Sequence, residues 1–305
     1  MKSRLLCLLV TFLSAALMAH SQSYFSYGNR IEPEWLAEIG MSAGAMNCLT
    51  DIGGNPGQGV KPVKDINWNQ TRPALAVFLA ISYHSLFSLK LGLMAGSISG
   101  ADSLLKNGNA SSVNRYGRNL HFKTDLVELS LNAEWYPINF FFRNSDAPLF
   151  SPFLSAGIGI FKFNPRTSIN GTWVALRPLH TEGEGFPEYP DRTIYKQFSW
   201  SLPFGMGILY DAGKLVRFRL EAAYRLTATD YLDDVSQSYI NPAIFSRHLP
   251  PEQADLAASL ADRSKELNGV IAHQPGEKRG DPSNNDAWFS CLLSISLALG
   301  RQLRK

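Results

Sequence analysis

An eight-stranded antiparallel transmembrane β-barrel is the fold class that the sequence predicts, and three observations indicate it. Segments in which apolar and polar residues alternate recur eight times along the chain. The connections between them are long at one end and short at the other, which is typical of outer-membrane barrels. After the N-terminal region there is no run of about 20 apolar residues, so the pattern does not predict a helical membrane protein.

The alternation defines each predicted strand, because successive side chains of a strand point to opposite faces. In the seventh segment Phe218 and Leu220 lie on one face, while Arg217, Arg219 and Glu221 lie on the other. The predicted strands cover residues 36–49, 73–83, 87–99, 120–136, 152–163, 196–210, 215–228 and 287–300. Each strand therefore has one apolar face and one polar or small-residue face.

The predicted connections are segregated by length. Four are long, at residues 50–72, 100–119, 164–195 and 229–286; two are short, at 84–86 and 211–214, and one, at 137–151, is intermediate. We expect the long loops to be extracellular and the short turns periplasmic. Aromatic residues near strand ends indicate an interfacial girdle, namely Tyr83, Phe87, Trp135, Tyr136, Phe198, Trp200, Tyr210, Trp288 and Phe289. A soluble barrel with its charged face outward is the alternative.

The N-terminus has the features of a secretory signal peptide. An apolar run at residues 5–18 follows two cations and precedes Ala19, His20 and Ser21, which place small residues at the cleavage site. The predicted organisation is a signal peptide at 1–21, a periplasmic N-terminal segment at 22–35 and the barrel at 36–305.

The charge and composition argue against a nucleic-acid partner. The formal net charge is +3, and it falls to +1 when Lys2 and Arg4 leave with the signal peptide. A strongly basic surface, which binding to phosphate backbones requires, is therefore not expected. Outer-membrane lipid is the partner that the alternation predicts.

Eight ionisable residues share the polar face of the predicted strands: Glu38, Lys90, Glu128, Glu134, Arg217, Arg219, Glu221 and Arg225. The interior of an eight-stranded barrel is just wide enough for side chains to fill. Unpaired charge in that space would be costly, so we expect a lumenal ion-pair network. The sequence thus predicts a plugged, nonconducting barrel.

The seventh strand changes abruptly into an acidic turn pattern. Asp230, Asp233 and Asp234 follow it and form the acidic root of the largest loop. Together with Glu182 and Glu184 they could form an oxygen-rich cation site. Their spacing matches no EF-hand loop, and carboxylates that cap turns and pair with arginines are the preferred interpretation. We therefore predict neither a metal nor a cofactor.

Two further loop and cysteine features can be predicted. Residues 250–269 indicate a short surface helix that ends at Gly269. Cys48 and Cys291 could pair in an oxidising compartment, but they differ in strand parity, so two buried free thiols are favoured.

No pattern in the chain indicates an enzyme. His121 lies near the extracellular rim, but no serine lies two residues from it on the same strand. A hydroxyl nucleophile needs such an adjacent base to be activated. No catalytic residue is predicted.

Several sequence blocks resemble a family of Bacteroidota outer-membrane barrels that includes PorG, a component of the type IX secretion machinery. The blocks are EIGMSAGAMNCLTDI at 38–52, RNLHFKTDLVELSLNAEWYP at 118–137, SPFLSAGIGIFKFNP at 151–165, PLHTEGEG at 178–185, SLPFGMGILY at 201–210, YRLTATDYLDDVS at 224–236 and KRGDPSNNDAWF at 278–289. The resemblance implies an eight-stranded barrel in the outer membrane of a Gram-negative bacterium that docks a periplasmic ring containing a lipoprotein. The longer fourth loop and the C-terminal GRQLRK, which lacks a terminal aromatic residue, depart from the family pattern.

Two functional hypotheses follow. The first is a nonenzymatic structural component of type IX secretion that contacts a periplasmic secretion-ring lipoprotein through residues 136–151 and 22–35, since the other turns offer little area. The alternative is an adhesion or ligand-binding barrel that acts through its extracellular loops. A small-solute channel is a third reading, which the lumenal charges disfavour.

Overall fold

Eight antiparallel strands close into a barrel in the computed structural model, which confirms the predicted fold class. The structure describes residues 30–31, 33–52, 68–105, 115–142, 148–213, 215–269, 273–300 and 302–303. The barrel strands are β1 (Trp35–Leu49), β2 (Arg72–Tyr83), β3 (Phe87–Ala101), β4 (His121–Trp135), β5 (Phe150–Ile169), β6 (Phe198–Asp211), β7 (Val216–Thr227) and β8 (Ala287–Leu299). Every predicted strand overlaps one of them.

The sheet closes because the last strand pairs with the first. The β8–β1 register runs from Ala287 opposite Leu49 to Leu299 opposite Ala37. Every other strand pairs with its neighbours in the chain. The barrel itself therefore has no free edge along which a second chain could add a strand.

The outer surface carries a continuous apolar belt. Six exposed side chains are register partners on six adjacent strands, in the order Leu297, Ile39, Leu79, Leu91, Leu131 and Ile158. Soluble monomers rarely expose apolar surface of this extent. The belt, with polar and charged side chains on the inside, matches a barrel that spans a bilayer and excludes the soluble alternative.

An aromatic girdle surrounds the end of the barrel that carries the short turns, called here the turn end. Trp35, Tyr83, Phe87 and Trp135 are register partners on β1 to β4. Phe150, Tyr210 and Phe218 continue the girdle on β5 to β7. Such residues suit the boundary between lipid and water.

Two of the predicted girdle residues are placed differently. Tyr136 and Trp288 point into the barrel and are buried. Trp288 shares the parity of Ser290, whose side chain also faces inward, so the prediction was wrong for these two aromatics.

The opposite end of the barrel, called here the loop end, carries a folded cap formed by residues 164–197 and 228–286. A hairpin extends β5 through Thr172–Ala175. The cap contains the helices α1 (Phe245–His248), α2 (Pro251–Ala261) and α3 (Lys265–Asn268). Within the described ranges no helix has both the length and the apolar character needed to cross a membrane.

The predicted loop helix is present in two pieces. The break between α2 and α3 lies at Asp262, whose Oδ1 accepts a hydrogen bond from the Ser264 N–H at 2.9 Å, a local bond that competes with helical bonding. Gly269 ends α3 in a left-handed conformation with φ of 76°, as predicted. On α2, Ala257 and Leu260 pack into a cluster with Phe186 and its neighbours from the third loop.

The ends of the chain and the cysteines complete the fold. Arg30–Ile31 pairs with Gln302–Leu303. The predicted signal peptide and residues 22–29 lie outside the described residues. Cys48 and Cys291 are both free, as favoured; Cys48 is buried, but Cys291 lies on the lipid-facing parity of β8 and is exposed, so the prediction of two buried thiols was wrong for Cys291.

Candidate functional site: the filled lumen and the loop plug

All eight residues predicted for the lumenal network point into the barrel. Seven of them are buried: Glu38, Lys90, Glu128, Glu134, Arg217, Arg219 and Arg225; Glu221 is also inside and only slightly exposed. Each belongs to the inward parity of its strand, because the outward positions are occupied by the apolar belt. Together they form three layers of ion pairs.

The layer nearest the turn end is centred on Arg217. Its guanidinium donates to Glu38 Oε1 at 2.6 Å and to Asp211 Oδ2 at 3.1 Å. Asp211 was not predicted, because the sequence pattern assigned it to a turn. Its carboxylate gives the layer two anions around one arginine.

The middle layer joins four charged side chains. Lys90 Nζ lies 2.8 Å from Glu134 Oε1 and 2.5 Å from Glu221 Oε2. Arg219 Nη2 lies 3.3 Å from Glu134 Oε2. The rings of Phe78 and Phe153 lie 5.1 and 5.4 Å from the Arg219 guanidinium carbon, within cation–π range. A buried cation is thus held by a carboxylate and by aromatic faces.

The third layer lies toward the loop end. Arg225 donates through Nε to Glu128 Oε2 and through Nη1 to Ser290 Oγ, both at 2.7 Å. Ser201 Oγ donates to Glu128 Oε1, also at 2.7 Å. The Trp288 ring lies 5.8 Å from the Arg225 guanidinium carbon. These contacts bridge β4, β6, β7 and β8 across the lumen.

Above these layers the lumen is filled by apolar side chains, some of which come from the largest loop. The strands contribute large buried residues, among them Phe122, Leu126, Phe161, Phe163 and Trp288. Leu232 and Val235, which follow β7 in the loop, are fully buried in the same cluster. We call residues 230–236 the loop plug, because this segment closes the loop end of the barrel.

The loop plug is held by hydrogen bonds from the barrel wall and its rim. Thr124 Oγ1 donates to the Leu232 carbonyl at 2.5 Å, and the Leu232 N–H donates to Asp286 Oδ2 at 2.8 Å. Asp233 accepts from the backbone N–H groups of Ile52 at 2.8 Å and Val235 at 2.9 Å. The loop plug is therefore fixed to three different parts of the chain.

The predicted acidic root lies within this loop plug, and all three of its aspartates are buried. Asp234 accepts from Thr181 Oγ1 at 2.6 Å and from the Tyr195 hydroxyl at 2.5 Å, which ties the loop plug to the third loop. Asp230 is held less closely: the Ser236 side chain lies beside it, but neither of its carboxylate oxygens has a well-formed hydrogen bond in the part of the chain that the structure describes. The interpretation as turn caps therefore fits Asp233 and Asp234 better than Asp230.

Burial and mutual repulsion change the protonation of this acidic group. Burial, with Asp233 and Asp51 nearby, raises the pKa of Asp230 to about 9. Burial and the charge of Asp51 raise the pKa of Asp233 to about 8, and burial with Asp234 and Glu182 raises that of Glu184 to about 8. Protons thus neutralise these carboxyls near neutral pH. Among the described residues, no three His, Cys, Asp or Glu side chains are grouped to hold a metal ion.

Two buried arginines that the sequence analysis missed join the cap to the loop plug. Arg279 donates through Nη1 to Glu182 Oε1 at 2.9 Å and to the Asp234 carbonyl at 2.8 Å, and through Nε to the Ala261 carbonyl at 3.1 Å. Arg118 forms two bonds to Asp102 and donates to the Arg279 carbonyl at 2.6 Å. Neither arginine lies in a periodic segment, so no sequence pattern marked it.

His121 has a structural environment. Its Nε2 lies 3.2 Å from the Ser168 N–H, and its Nδ1 lies 3.2 Å from Arg263 Nη1, which also donates to Thr167 Oγ1. A neutral imidazole has one acceptor nitrogen; here Nε2 accepts from the Ser168 N–H, and the Arg263 guanidinium of the cap lies in contact with the ring. This arrangement orients the cap on β4 and β5.

The fold and the filled lumen define the class as an eight-stranded transmembrane β-barrel. An outward apolar belt with short turns at one end and long loops at the other is the architecture of a Gram-negative outer-membrane protein, in agreement with the predicted location.

Of the three comparisons with known proteins, the one with solved structures found similar chains. No protein-family model and no curated protein sequence matches the chain. Among solved structures, Neisserial surface protein A is similar with 7% identity and a TM-score of 0.38, covering 87% of this chain and 97% of that one. The attachment invasion locus protein Ail of Yersinia pestis, in complex with the heparin analogue sucrose octasulfate, has 8% identity and a TM-score of 0.37 over 88% and 100% of the two chains. A major outer membrane protein from Thermus thermophilus has 14% identity and a TM-score of 0.34 over 86% and 99%. These values support no argument about function.

Proposed function

We propose that this protein is a nonenzymatic, sealed outer-membrane anchor that holds a periplasmic assembly through the turn between β4 and β5. The sequence blocks that resemble the family including PorG imply which assembly this is. It is the ring of the type IX secretion machinery, reached through its lipoprotein. The filled lumen supports an anchor rather than a channel.

The exposure of three apolar side chains on this turn carries the proposal. Residues Pro137–Phe142 form a 3₁₀ helix. Ile138, Phe140 and Phe141 on it are 39%, 61% and 82% exposed. Exposed aromatic and aliphatic side chains that are close together are the groups that dominate binding energy when a partner buries them.

The same turn is held firmly against the barrel, so its exposed side chains are presented in a fixed arrangement. Asn139 Nδ2 donates to the Ser85 carbonyl at 2.8 Å, and Ser151 Oγ donates to Asn139 Oδ1 at 2.9 Å. The Tyr136 N–H donates to the Leu86 carbonyl at 2.9 Å, and its hydroxyl donates to Glu134 at 2.6 Å. A preorganised surface loses little conformational entropy on binding, which favours a stable contact.

Replacing both phenylalanines tests the proposal. In Phe140→Ser/Phe141→Ser, we expect crosslinked pull-down from isolated outer membranes to recover at least tenfold less ring lipoprotein, because two aromatic anchors are lost. Secretion of cargo should fall with it. The measurement is the amount of lipoprotein recovered per inserted barrel.

The matched control removes two exposed aromatics near the loop end, Trp68→Ser and Trp173→Ser, which are 75% and 49% exposed in the wild type. This variant should recover the lipoprotein normally. If the Phe140/Phe141 variant inserts at the wild-type level and still recovers as much lipoprotein as the wild type, the turn is not the docking site.

An adhesion or ligand-binding role through the extracellular loops is the second candidate. The cap favours it, since α1 and α2 share an apolar core of their own with the third loop. Removal of residues 240–275 would then abolish binding of an external ligand and leave the lipoprotein pull-down unchanged. If this deletion leaves binding of external ligands unchanged and the Phe140/Phe141 variant loses the lipoprotein, the anchor is favoured.

A further inference from the structure

A group of cations lies on the outside of the barrel, directly above the apolar belt on one side. Lys123 on β4 and Lys162 and Arg166 on β5 occupy outward positions. They are called here the basic patch. It lies toward the loop end, on the opposite side of the membrane from the docking turn, and the proposed function does not use it.

The strand register fixes the height of the basic patch. Outward residues on β5 run from Ile158 and Ile160 to Lys162, with Arg166 four residues further on. Lys162 is opposite Val127 of β4 in the register, so it lies at the upper boundary of the belt. At about 3.3 Å per residue, Lys162 and Arg166 are roughly 13 Å apart along a tilted strand. On a strand tilted by about 35–45° this separation is a rise of roughly 9–11 Å. Lys162 therefore lies at the inner boundary of the headgroup region, which is about 5–7 Å deep on each side, and the long side chain of Arg166 reaches back to this region from a few Å beyond it.

The cations of the basic patch repel one another, and a bound anion would reduce this repulsion. Lys123 and Arg166 are direct register partners on neighbouring strands, and like charges in such pairs repel. Asp125 is the nearest carboxylate, but it lies 3.6 Å from Lys123 Nζ and 4.0 Å from Arg166 Nη1 and is itself half exposed. One carboxylate with long contacts leaves the group with net positive charge.

Lys162 strengthens this surface. Its Nζ lies 5.6 Å from the centre of the Phe198 ring, so its stem follows an aromatic side chain at the edge of the belt. Long cationic side chains at such a boundary extend their charge toward the headgroups. On β6, the other neighbour of β5, the same rim is aromatic: Phe198 and Trp200 are the register partners of Lys162 and Ile160, so the positive charge of this surface lies on β4 and β5.

We propose that Lys123, Lys162 and Arg166 bind the phosphate of a phosphorylated lipid headgroup in the outer leaflet. Continuity with the lipid-facing belt makes the occupant a membrane lipid, because a headgroup phosphate is held at this height by its own acyl chains. Guanidinium and ammonium groups provide the charge-assisted hydrogen bonds that phosphate oxygens accept. The bound lipid screens the repulsion between Lys123 and Arg166.

The test compares two matched double variants of the full barrel in neutral detergent micelles, with diphosphorylated lipid A as the probe and native mass spectrometry as the readout. Each cation near an anionic surface contributes about fivefold in affinity, so Lys162→Gln/Arg166→Gln should bind roughly 25-fold more weakly. Arg247→Gln/Lys278→Gln removes two cations from the cap, where both side chains are about two-thirds exposed, and should bind like the wild type.

Equal affinity of the wild type and both variants would overturn the proposal. So would displacement of the lipid by inorganic phosphate at millimolar concentration, because it would assign the site to free phosphate. Both substituted side chains of the patch are exposed, so we expect the variant to fold like the wild type. Equal β-sheet circular dichroism of the two proteins is the control that the barrel is intact.

Discussion

Replacement of Arg219 by methionine is expected to lower the free energy of unfolding of the barrel by about 3 kcal/mol. The guanidinium is fully buried in the middle layer of the lumen, 3.3 Å from Glu134 and 3.8 Å from Glu38. Its removal leaves carboxylates in a space that water hydrates poorly. The expected loss is at the lower end of the range for broken buried pairs, because Lys90 still contacts Glu134 and Arg217 still contacts Glu38.

Urea unfolding in lipid vesicles, followed by tryptophan fluorescence, measures this loss. A second change, Glu134→Gln in the Arg219→Met background, neutralises one of the two carboxylates that lost Arg219 as a partner and should recover part of the stability. Arg247→Gln, on an exposed side chain of the cap, should change stability by less than about 0.5 kcal/mol. A midpoint for Arg219→Met equal to that of wild type would contradict the ion-pair network.

The second large effect is expected for Arg279→Met, which should open the cap and leave the barrel intact. This arginine joins Glu182, the Asp234 carbonyl and the Ala261 carbonyl. Its loss removes the positive charge beside the buried Glu182, which keeps backbone N–H donors, and takes this donor from the two carbonyl groups. Loss of about 3 kcal/mol of local stability increases the open population roughly 100-fold.

Limited proteolysis of the folded protein in vesicles detects this opening, since cleavage follows the open population when the protease is dilute. We expect Arg279→Met to be cut within residues 180–192 or 237–278 roughly 100 times faster than wild type. Arg247→Gln should be cut at the wild-type rate. Wild-type protection of Arg279→Met would mean that the cap does not depend on this arginine.

The barrel strands could be predicted from the sequence because each one is half in lipid and half in a polar lumen, which imposes a two-residue period. Since all eight residues of the predicted lumenal network lie on the inward parity, strand pairing alone places their charges in the lumen. The strongest disagreement is at β5, which continues to Ile169 through Pro165. Proline usually marks the end of a strand, so the sequence pattern ended the strand too early.

The alternation of side chains along β8 also indicates the correct positions of Trp288 and Cys291, which the sequence analysis placed wrongly. Trp288 alternates with Phe289 and so belongs to the inward set, and Cys291 belongs with the outward Leu293. Aromatic identity suggested a girdle position for Trp288, although parity alone places it inside. The same rule identifies Cys291 as lipid-facing.

The loop plug and its arginines could not be predicted in this way. Arg118 and Arg279 lie in irregular segments, and their partners are between 16 and 161 residues away in the chain. Such contacts depend on how the loops fold over the barrel rather than on any local period. The acidic root was predicted to cap turns and pair with arginines, but its insertion into the lumen depends on the apolar cluster that surrounds Leu232 and Val235.

Three layers of ion pairs and the loop plug together seal the lumen. Planar-bilayer recording of the purified wild-type barrel in about 1 M KCl tests whether it is sealed. A sealed barrel should insert without sustained conductance steps, because paired charges and buried apolar side chains leave no continuous water path. Reproducible unitary conductance from the intact wild-type protein would show that the lumen is open and would favour a channel.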